Sequence, residues 1–391
     1  MTPFFNKQTE RVAYVWLRLS LIVGWGAVRV LVLLAPWLRR RNPSKDFLFF
    51  PYAHKDNIGT RSRFQDYFPL LERDGFTYDV HYPSTREEYM ALYHSAAPSR
   101  SREYLFYARL FWQRLRWIVK ASDYRAVFFQ RSLFPEYYDQ RRAILEQLAR
   151  TYSRNLTVDF YDADYARNET LYRNVVACCD KVTVVNQALY AYFSQHHPRV
   201  LFNDLSVDAS YYEPKTDFAV HRPVRIFWTG SVTNARYNLV AAMPALEQLN
   251  AQRPLTLVMV SLDRAGFQQP FIEHHLWDTA TFNNLLTGAD LAIYAAANDD
   301  VFNRGKVAYK SLEYAAAKVP MVASPMGLSP HFRENEDVLL ARNVDEWKLS
   351  LQQMMDDEGL RERLAGSAHR RFMECHDVHA TYRNFLSFLK A

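Results

Sequence analysis

The sequence predicts an α/β fold built from two doubly wound, Rossmann-like domains behind an apolar N-terminal helix. Three observations predict it. From Lys45 on, short apolar runs alternate with longer amphipathic patterns, the rhythm of βαβ units. Many of those runs are continuous rather than alternating, as in parallel strands covered on both faces. The series also occurs twice, interrupted at residues 213–223 (EPKTDFAVHRP), a polar stretch with two prolines and no periodicity.

The first series of expected strands is Phe47–Pro51, Thr77–Tyr82, Ala126–Gln130, Leu156–Phe160 and Lys181–Val185. The second is Val224–Thr229, Leu255–Val260, Ala289–Tyr294, Pro320–Ser324 and Val338–Ala341. Helical patterns lie between them at Phe64–Arg73, Glu136–Tyr152, Tyr237–Asn250, Lys306–Ala317 and Val344–Met355. The expected division is a membrane-associating segment over 1–43, one domain over 44–213, a second over 214–370, and a terminal helix over 371–391 that packs back across the junction.

Composition narrows the class. The 391 residues are 49% hydrophobic and 23% charged, which excludes wholesale disorder. Three cysteines (Cys178, Cys179, Cys375) form neither a disulfide framework nor a CxxC motif, so a reducing compartment fits best. The formal charge of +6 is uneven: residues 1–120 carry 19 Lys+Arg against 10 Asp+Glu, and the remaining 271 carry 29 against 32. A local anionic partner is expected, a membrane surface or nucleic acid. No nucleic-acid motif is present and the charge follows apolar segments, so the membrane is the stronger reading.

Residues Val12–Leu38 are long enough to cross a bilayer and end at Arg39, Arg40 and Arg41. Arg18 and Arg29 interrupt them. Each central arginine costs about 2.5–3.5 kcal/mol and each large aliphatic returns about 0.3–0.6, so hydropathy leaves insertion undecided. At 100° per residue Arg11, Arg18 and Arg29 form one polar stripe, as in a helix lying in the interface. If the helix spans, the arginine cluster keeps the remainder cytoplasmic. A buried helix of a soluble core is the plain alternative. Residues 100–120 carry a second basic stripe, Arg102, Arg109, Arg116 and Lys120, opposite Tyr104, Tyr107, Phe111, Leu115 and Ile118. They suit a helix packed on a sheet with a solvated basic face, or one facing anionic lipid.

No GxGxxG, Walker A, HExxH or GxSxG occurs. The strongest chemical constellation is residues 303–327, NRGKVAYKSLEYAAAKVPMVASPMG: a loop, a helix and a buried strand. Arg304 and Gly305 are expected to open the helix, with Lys306, Lys310 and Glu313 on one face. A helix N-terminus with a first-turn lysine attracts phosphate, and Glu313 suits a ribose diol. An ordinary Lys–Glu helix pair is the plain alternative. Asp162 and Asp164 form a DxD pair after a strand. They suit a cleft wall that positions hydroxyls, a Mg²⁺ or Mn²⁺ site, or capping. Gln130 and Arg131 end another strand and point to the same cleft.

The run RGK-x3-K-x2-EY-x3-K-VPMVASPMG resembles the donor-binding stretch of retaining GT-B glycosyltransferases of the family-4-like group that builds bacterial surface polysaccharides. Other pieces fall in the same order: DNIGTRSRFQDYFPLLERDGF (56–76), FYDADYA (160–166), VTVVNQALYAYF (182–193), VDASYYEP (207–214), IFWTGSVTN (226–234) and residues 345–368. Together they cover about residues 46–370. The resemblance implies two Rossmann-like domains with a cleft between them and a nucleotide-sugar donor. It assigns Gly230, Ser231, Asn234, Arg236, Arg304, Lys306, Lys310 and Glu313 to the donor, Gly59, Thr60, Arg61, Gln130 and Arg131 to the acceptor side, and Asp162, Asp164 and Lys306 to catalysis. Ser261–Trp277 is where the nucleobase pocket is expected. The family pattern has two glutamates eight positions apart; Glu313 matches the second, and Gly305 stands at the first.

The function implied is a metal-independent transfer of a sugar, with retention, to a lipid-linked or growing saccharide on the cytoplasmic side of the cell membrane. No cofactor is expected, Mg²⁺ or Mn²⁺ at Asp162 and Asp164 being the minority alternative. The partners expected are the nucleotide sugar, the saccharide acceptor and an anionic membrane surface, with no nucleic acid. A non-catalytic partner in a polysaccharide assembly complex and a nucleotide-sugar epimerase are the competing functions.

Overall fold

The computed structural model describes residues 3–93, 99–134, 142–297 and 300–390, with the backbone alone for residues 3–6. The chain divides into two compact units, Met1–Asn203 with Tyr382–Ala391, and Asp204–Thr381.

Each unit is built on a six-stranded, fully parallel sheet. In the first, β1 (Lys45–Phe50), β2 (Tyr78–Val80), β3 (Tyr124–Gln130), β4 (Leu156–Phe160), β5 (Lys181–Val184) and β6 (Val200–Phe202) run in the order β2-β1-β3-β4-β5-β6. In the second, β7 (Val224–Thr229), β8 (Leu255–Val260), β9 (Ile272–His275), β10 (Leu291–Tyr294), β11 (Met321–Ala323) and β12 (Leu339–Leu340) run β12-β11-β10-β7-β8-β9. Both orders reverse direction beside the first strand, the place where doubly wound sheets bind ligands at their carboxyl ends. All ten expected strands are present. The helices used below are α1 (Pro3–Leu38), α2 (Arg86–Tyr93), α3 (Arg100–Ile118), α4 (Ile144–Tyr152), α5 (Val232–Tyr237), α6 (Val301–Arg304), α7 (Tyr309–Ala316) and α8 (Val378–Lys390). The helix expected from Glu136 begins at Ile144; residues 135–141 lie outside the described residues.

The first unit has an aromatic core. Phe49 of β1 stacks on Phe64 at 5.4 Å and meets Phe68, Phe128 and Phe385. Phe385 belongs to the stretch of α8 that returns to this unit, and it stacks on Tyr67 at 4.2 Å. Under this layer lies a fully buried ion pair. Arg63 donates to both carboxylate oxygens of Asp159, at 2.9 and 2.6 Å, and to Asn203 O at 2.6 Å, while Thr183 Oγ1 donates to Asp159 at 2.7 Å. The bonds to Asp159 tie a loop and the neighbouring strand β5 to β4, and the bond to Asn203 O ties the same loop to the end of β6. The second unit's core is aliphatic around Trp228 and Trp347, both buried.

Helix α1 packs one face on α3 and α4: Ala13, Leu17, Leu21, Val28 and Ala35 are buried. It is long and apolar enough to cross a membrane, and only 28% of its most apolar stretch is buried, unlike a core helix. On α3, Tyr107, Phe111, Leu115 and Ile118 are buried and Arg102, Arg109 and Arg116 exposed, as the spacing predicts.

The pair of Arg63 and Asp159 yields a stability prediction. Arg63→Met strands the Asp159 carboxylate in the core and is expected to cost about 3–5 kcal/mol in a denaturant titration. A loss below about 1 kcal/mol would show that β4 does not depend on it.

Candidate functional site

The second unit carries the denser cluster, at the carboxyl ends of β7 and β10. After β7 the chain turns at Gly230, and Ser231 caps α5 by accepting the Asn234 N–H at 3.1 Å. That cap presents the Asn234 amide oxygen to the Lys310 ammonium, at 2.8 Å. The ammonium also lies over the Trp228 ring at 4.6 Å and near the Tyr294 ring at 5.9 Å. Among the described residues its hydrogen-bond partner is therefore a neutral amide, and the ammonium also faces two aromatic rings. Burial drives its pKa down from 10.5 to about 7; Glu313 opposes the shift and Lys306 adds to it. Gly230 completes the cluster by its size. A Cβ there would lie 2.8 Å from the Trp228 ring and 2.9 Å from the Lys310 nitrogen.

Glu313, one turn beyond Lys310, is nearly buried and accepts a hydrogen bond from Tyr212 at 2.8 Å. The structure thus brings Gly230, Ser231, Asn234, Lys310 and Glu313 together, with Lys306 in electrostatic reach. It corrects the expected helix start. Arg304 and Gly305 do not open the helix: Arg304 ends α6, and Gly305 is its C-cap. Lys306 lies in the connection ahead of α7, outside the helical face of Lys310 and Glu313. The reason is local. The Ala308 N–H donates to Gly327 O at 2.7 Å, and Gly327 holds φ at +74°, so the chain enters α7 only at Tyr309. Arg236 is exposed on another side of α5 and donates to Ala265 O at 3.3 Å, away from the Lys310 ammonium's partners.

The first unit holds a second polar cluster where β1, β3 and β4 end. Gln130 clamps the loop after β1, accepting from Tyr52 N at 3.0 Å and donating to Gly59 O at 2.7 Å. Gly59 must be small, since a Cβ would stand 2.8 Å from the Tyr161 ring. Arg131, in the left-handed region at φ 58°, lies 4.6 Å from the centroids of both Tyr52 and Tyr161. Its guanidinium pairs with Asp162 and, at 3.0 Å, with Asp164. Burial opposes its charge, but Asp164, Tyr161 and Asp162 hold its pKa well above the ordinary value. Burial also pushes the Tyr161 phenol up. Of the other acceptor-side expectations, Thr60 is fully buried and Arg61 reaches Asp66 at 3.4 Å. Among the described residues, no group of three or more His, Cys, Asp or Glu side chains has the arrangement of a metal site.

A cavity of about 590 Å³ opens among the loops after β1 and β2, lined by His54, Asp56, His81, Tyr82, Arg86 and Gln113 among others. Burial first, and the Arg114 charge second, lower His81 to about 3, so it is neutral. Arg114 itself is buried, donating to His81 O at 2.8 Å and Pro51 O at 2.6 Å. The sequence reading missed this pocket, the tyrosines sandwiching Arg131, and the rings around Lys310. Tyr161 sat inside FYDADYA, and Trp228 inside IFWTGSVTN, where only the polar neighbours drew notice.

Residues 246–387 match the profile of a family described as "Glycosyl transferase-like". No functionally curated protein matches the chain by sequence. Among solved structures, Anabaena HepE in complex with UDP and glucose is similar at TM-score 0.61 and 13% identity, over 89% of this chain and 100% of that one. Sucrose-phosphate synthase from Thermosynechococcus elongatus is similar at TM-score 0.61 and 14% identity, over 88% and 100%. TarM is similar at 0.57 and 10%, over 73% and 58%. These likenesses show the fold: two Rossmann-like units of the GT-B type.

The environment of Lys310 predicts a lysine that loses its proton near pH 7 rather than near 10.5. NMR of ¹³C-labelled lysine side chains, with Lys310→Met to assign the resonance, measures it. A midpoint above 10 would contradict the burial argument.

Proposed function

We propose that the chain is a glycosyltransferase. It moves a sugar from a nucleoside-diphosphate sugar to a lipid-linked or growing saccharide at the cytoplasmic face of a membrane, with retention and without a metal. The observation that carries this reading is the Lys310 ammonium, held by a neutral amide and aromatic faces beside Gly230, in a chain of GT-B fold.

In such a reaction negative charge develops on the departing pyrophosphate. A preorganised cation in a water-poor site is the most effective group to meet it. Lys310 supplies that charge, Lys306 adds to it from the preceding connection, and Arg304 is the more exposed reserve. Gly230 leaves room for the Lys310 ammonium against the backbone after β7. Glu313, oriented by Tyr212, offers a carboxylate to the ribose hydroxyls. The UDP and UDP-glucose complexes of HepE support a nucleotide-sugar donor.

In the first unit, the 590 Å³ pocket is polar enough for a saccharide acceptor. Asp162 and Asp164, locked by Arg131, hold hydroxyl groups rather than attack carbon. With both carboxylates engaged by one guanidinium, the reading needs neither a protein nucleophile nor a bound Mg²⁺. The acceptor hydroxyl then attacks from the face the pyrophosphate leaves, and the leaving phosphate takes its proton. The exposed apolar face of α1, edged by Arg11, Arg18 and Arg29, supports the membrane location.

The test is nucleotide release from a panel of nucleotide sugars, with and without membrane extract and EDTA. One donor should turn over, only with extract, and survive EDTA. Lys310→Met should lower the rate at least about 100-fold, as for loss of one transition-state donor, and Glu313→Ala should weaken donor binding. Binding without turnover across panel and extracts would instead favour a non-catalytic partner.

A pH dependence follows from the Lys310 pKa of about 7. Below 7 the ammonium is already charged; above 7 a phosphate must draw a proton onto it. Nucleoside-diphosphate affinity is therefore expected to fall about tenfold per pH unit between 7 and 9, with proton uptake on binding. Calorimetry in buffers of different ionisation heat measures both. An affinity flat from pH 7 to 9 would remove Lys310 from the phosphate site.

A further inference from the structure

Helix α1 has two faces with different commitments. One is held by the protein from Ala13 to Ala35. Ala13, Leu17, Leu21, Val28 and Ala35 are buried, and Gly24 is a glycine where a Cβ would run into the Phe111 ring of α3. Tyr14 meets Tyr104 edge-on at 5.3 Å, and Tyr152 of α4 donates to Leu31 O at 2.9 Å. Beyond the helix, Arg39 donates to Ser153 O at 3.2 Å and Arg40 pairs with Asp123 at 3.0 Å. Both ends and the middle are thus fastened to the first unit.

The opposite face is apolar and bare. Val12, Trp16, Leu19, Val23, Leu33 and Trp37 are all more than half exposed. At 100° per residue they fall within a sector of about 100°, along a ridge about 38 Å long. Arg11, Arg18 and Arg29 are exposed and line one flank of that ridge, between the bare face and the packed one.

From this we infer that α1 lies flat on an anionic phospholipid bilayer, without crossing it. Its bare ridge is sunk to the acyl boundary, and Arg11, Arg18 and Arg29 sit at the level of the lipid phosphates. The inference rests on the membrane reading above and goes beyond it by fixing how the helix meets the lipid. Crossing would put hydrocarbon around all sides of α1. The packed side would then have to leave α3 and α4, exposing Phe111 and breaking the Arg39 and Arg40 contacts. Alternatively α3, with Arg102, Arg109 and Arg116, would have to follow it into the membrane, at several kcal/mol per charge. Lying flat keeps every packing contact and buries only what is bare. An apolar ridge edged by cations is the amphipathic pattern of an interfacial helix, and the edge selects anionic lipid. A second protein copy would bury the ridge equally well, but three arginines along its edge would oppose one another there.

The experiment has two arms on the full chain. Flotation with phosphatidylglycerol-containing vesicles should carry the protein up, and pure phosphatidylcholine vesicles should do so at least about tenfold less well. Arg18→Glu with Arg29→Glu, both exposed, should lose the difference while leaving thermal unfolding unchanged. Failure to float with either lipid, with a concentration-dependent dimer in sedimentation, would overturn both the membrane reading and this one. The second arm addresses orientation alone. Gln8→Cys and Asn42→Cys, each in a chain with Cys178, Cys179 and Cys375 replaced, are treated with an impermeant maleimide. Both should stay unlabelled in intact cells and label in inside-out vesicles. One end labelled from outside would show a crossing helix, overturning the flat placement and leaving the membrane reading intact. If the cysteine-free chain does not fold, depth-graded brominated lipids serve instead. The tryptophan quenching lost in Trp25→Phe, near the middle of the helix, should be no deeper than that lost in Trp37→Phe, whereas a mid-bilayer Trp25 would contradict the placement.

Discussion

The second unit's site depends on the Lys310 ammonium, whose hydrogen-bond partner among the described residues is a neutral amide. Lys310 is partly buried among Trp228, Tyr294 and the Asn234 amide, and that desolvation lowers its pKa to about 7. Everything around it serves that position. Ser231 fixes the start of α5 and thereby the Asn234 amide. Gly230 withholds the side chain that would displace the ammonium. The parallel order of the sheet puts β7 beside β10, so that a residue from α7 meets rings from two strands. A group in this condition gains more from an arriving anion than a solvated lysine does, because the anion removes a cost the folded protein already bears.

The first unit handles its partly buried cation in the opposite way. Arg131 is paired with two aspartates and sandwiched by two tyrosines, so its charge is spent on structure. What remains in that unit is two carboxylates held by one guanidinium and, lined by other residues, a polar pocket. The contrast matches the proposed division of labour, with anion binding in the second unit and hydroxyl positioning in the first. It also separates Arg131, just after β3, from Lys310, in α7, although the sequence shows both simply as cations.

Much of the fold was legible because parallel strands buried on both faces must be continuously apolar. The strands missed, β6 and β9, are the outer strands of their sheets. Val200–Phe202 and Ile272–His275 are half exposed and need no such run, and the latter contains the paired His274 and His275. The start of α7 was misplaced by three residues because Lys306, Lys310 and Glu313 satisfy helical spacing. What ends that pattern is a bond to Gly327, distant in sequence. Of the site, Gly230, Asn234, Lys310 and Glu313 were legible from order and residue type. The aromatic surroundings were not, since Trp228, Tyr294, Tyr52 and Tyr161 read as ordinary core residues until the sheet is folded.

The central claim is that the neighbourhood of Lys310 binds a nucleoside diphosphate. Hydrogen exchange of the intact chain with and without UDP and other nucleoside diphosphates tests it directly. The account predicts slowed exchange in residues 229–237 and 305–316, absent in Lys310→Met. Protection confined to other segments, or saturable binding with neither of these protected, would contradict it.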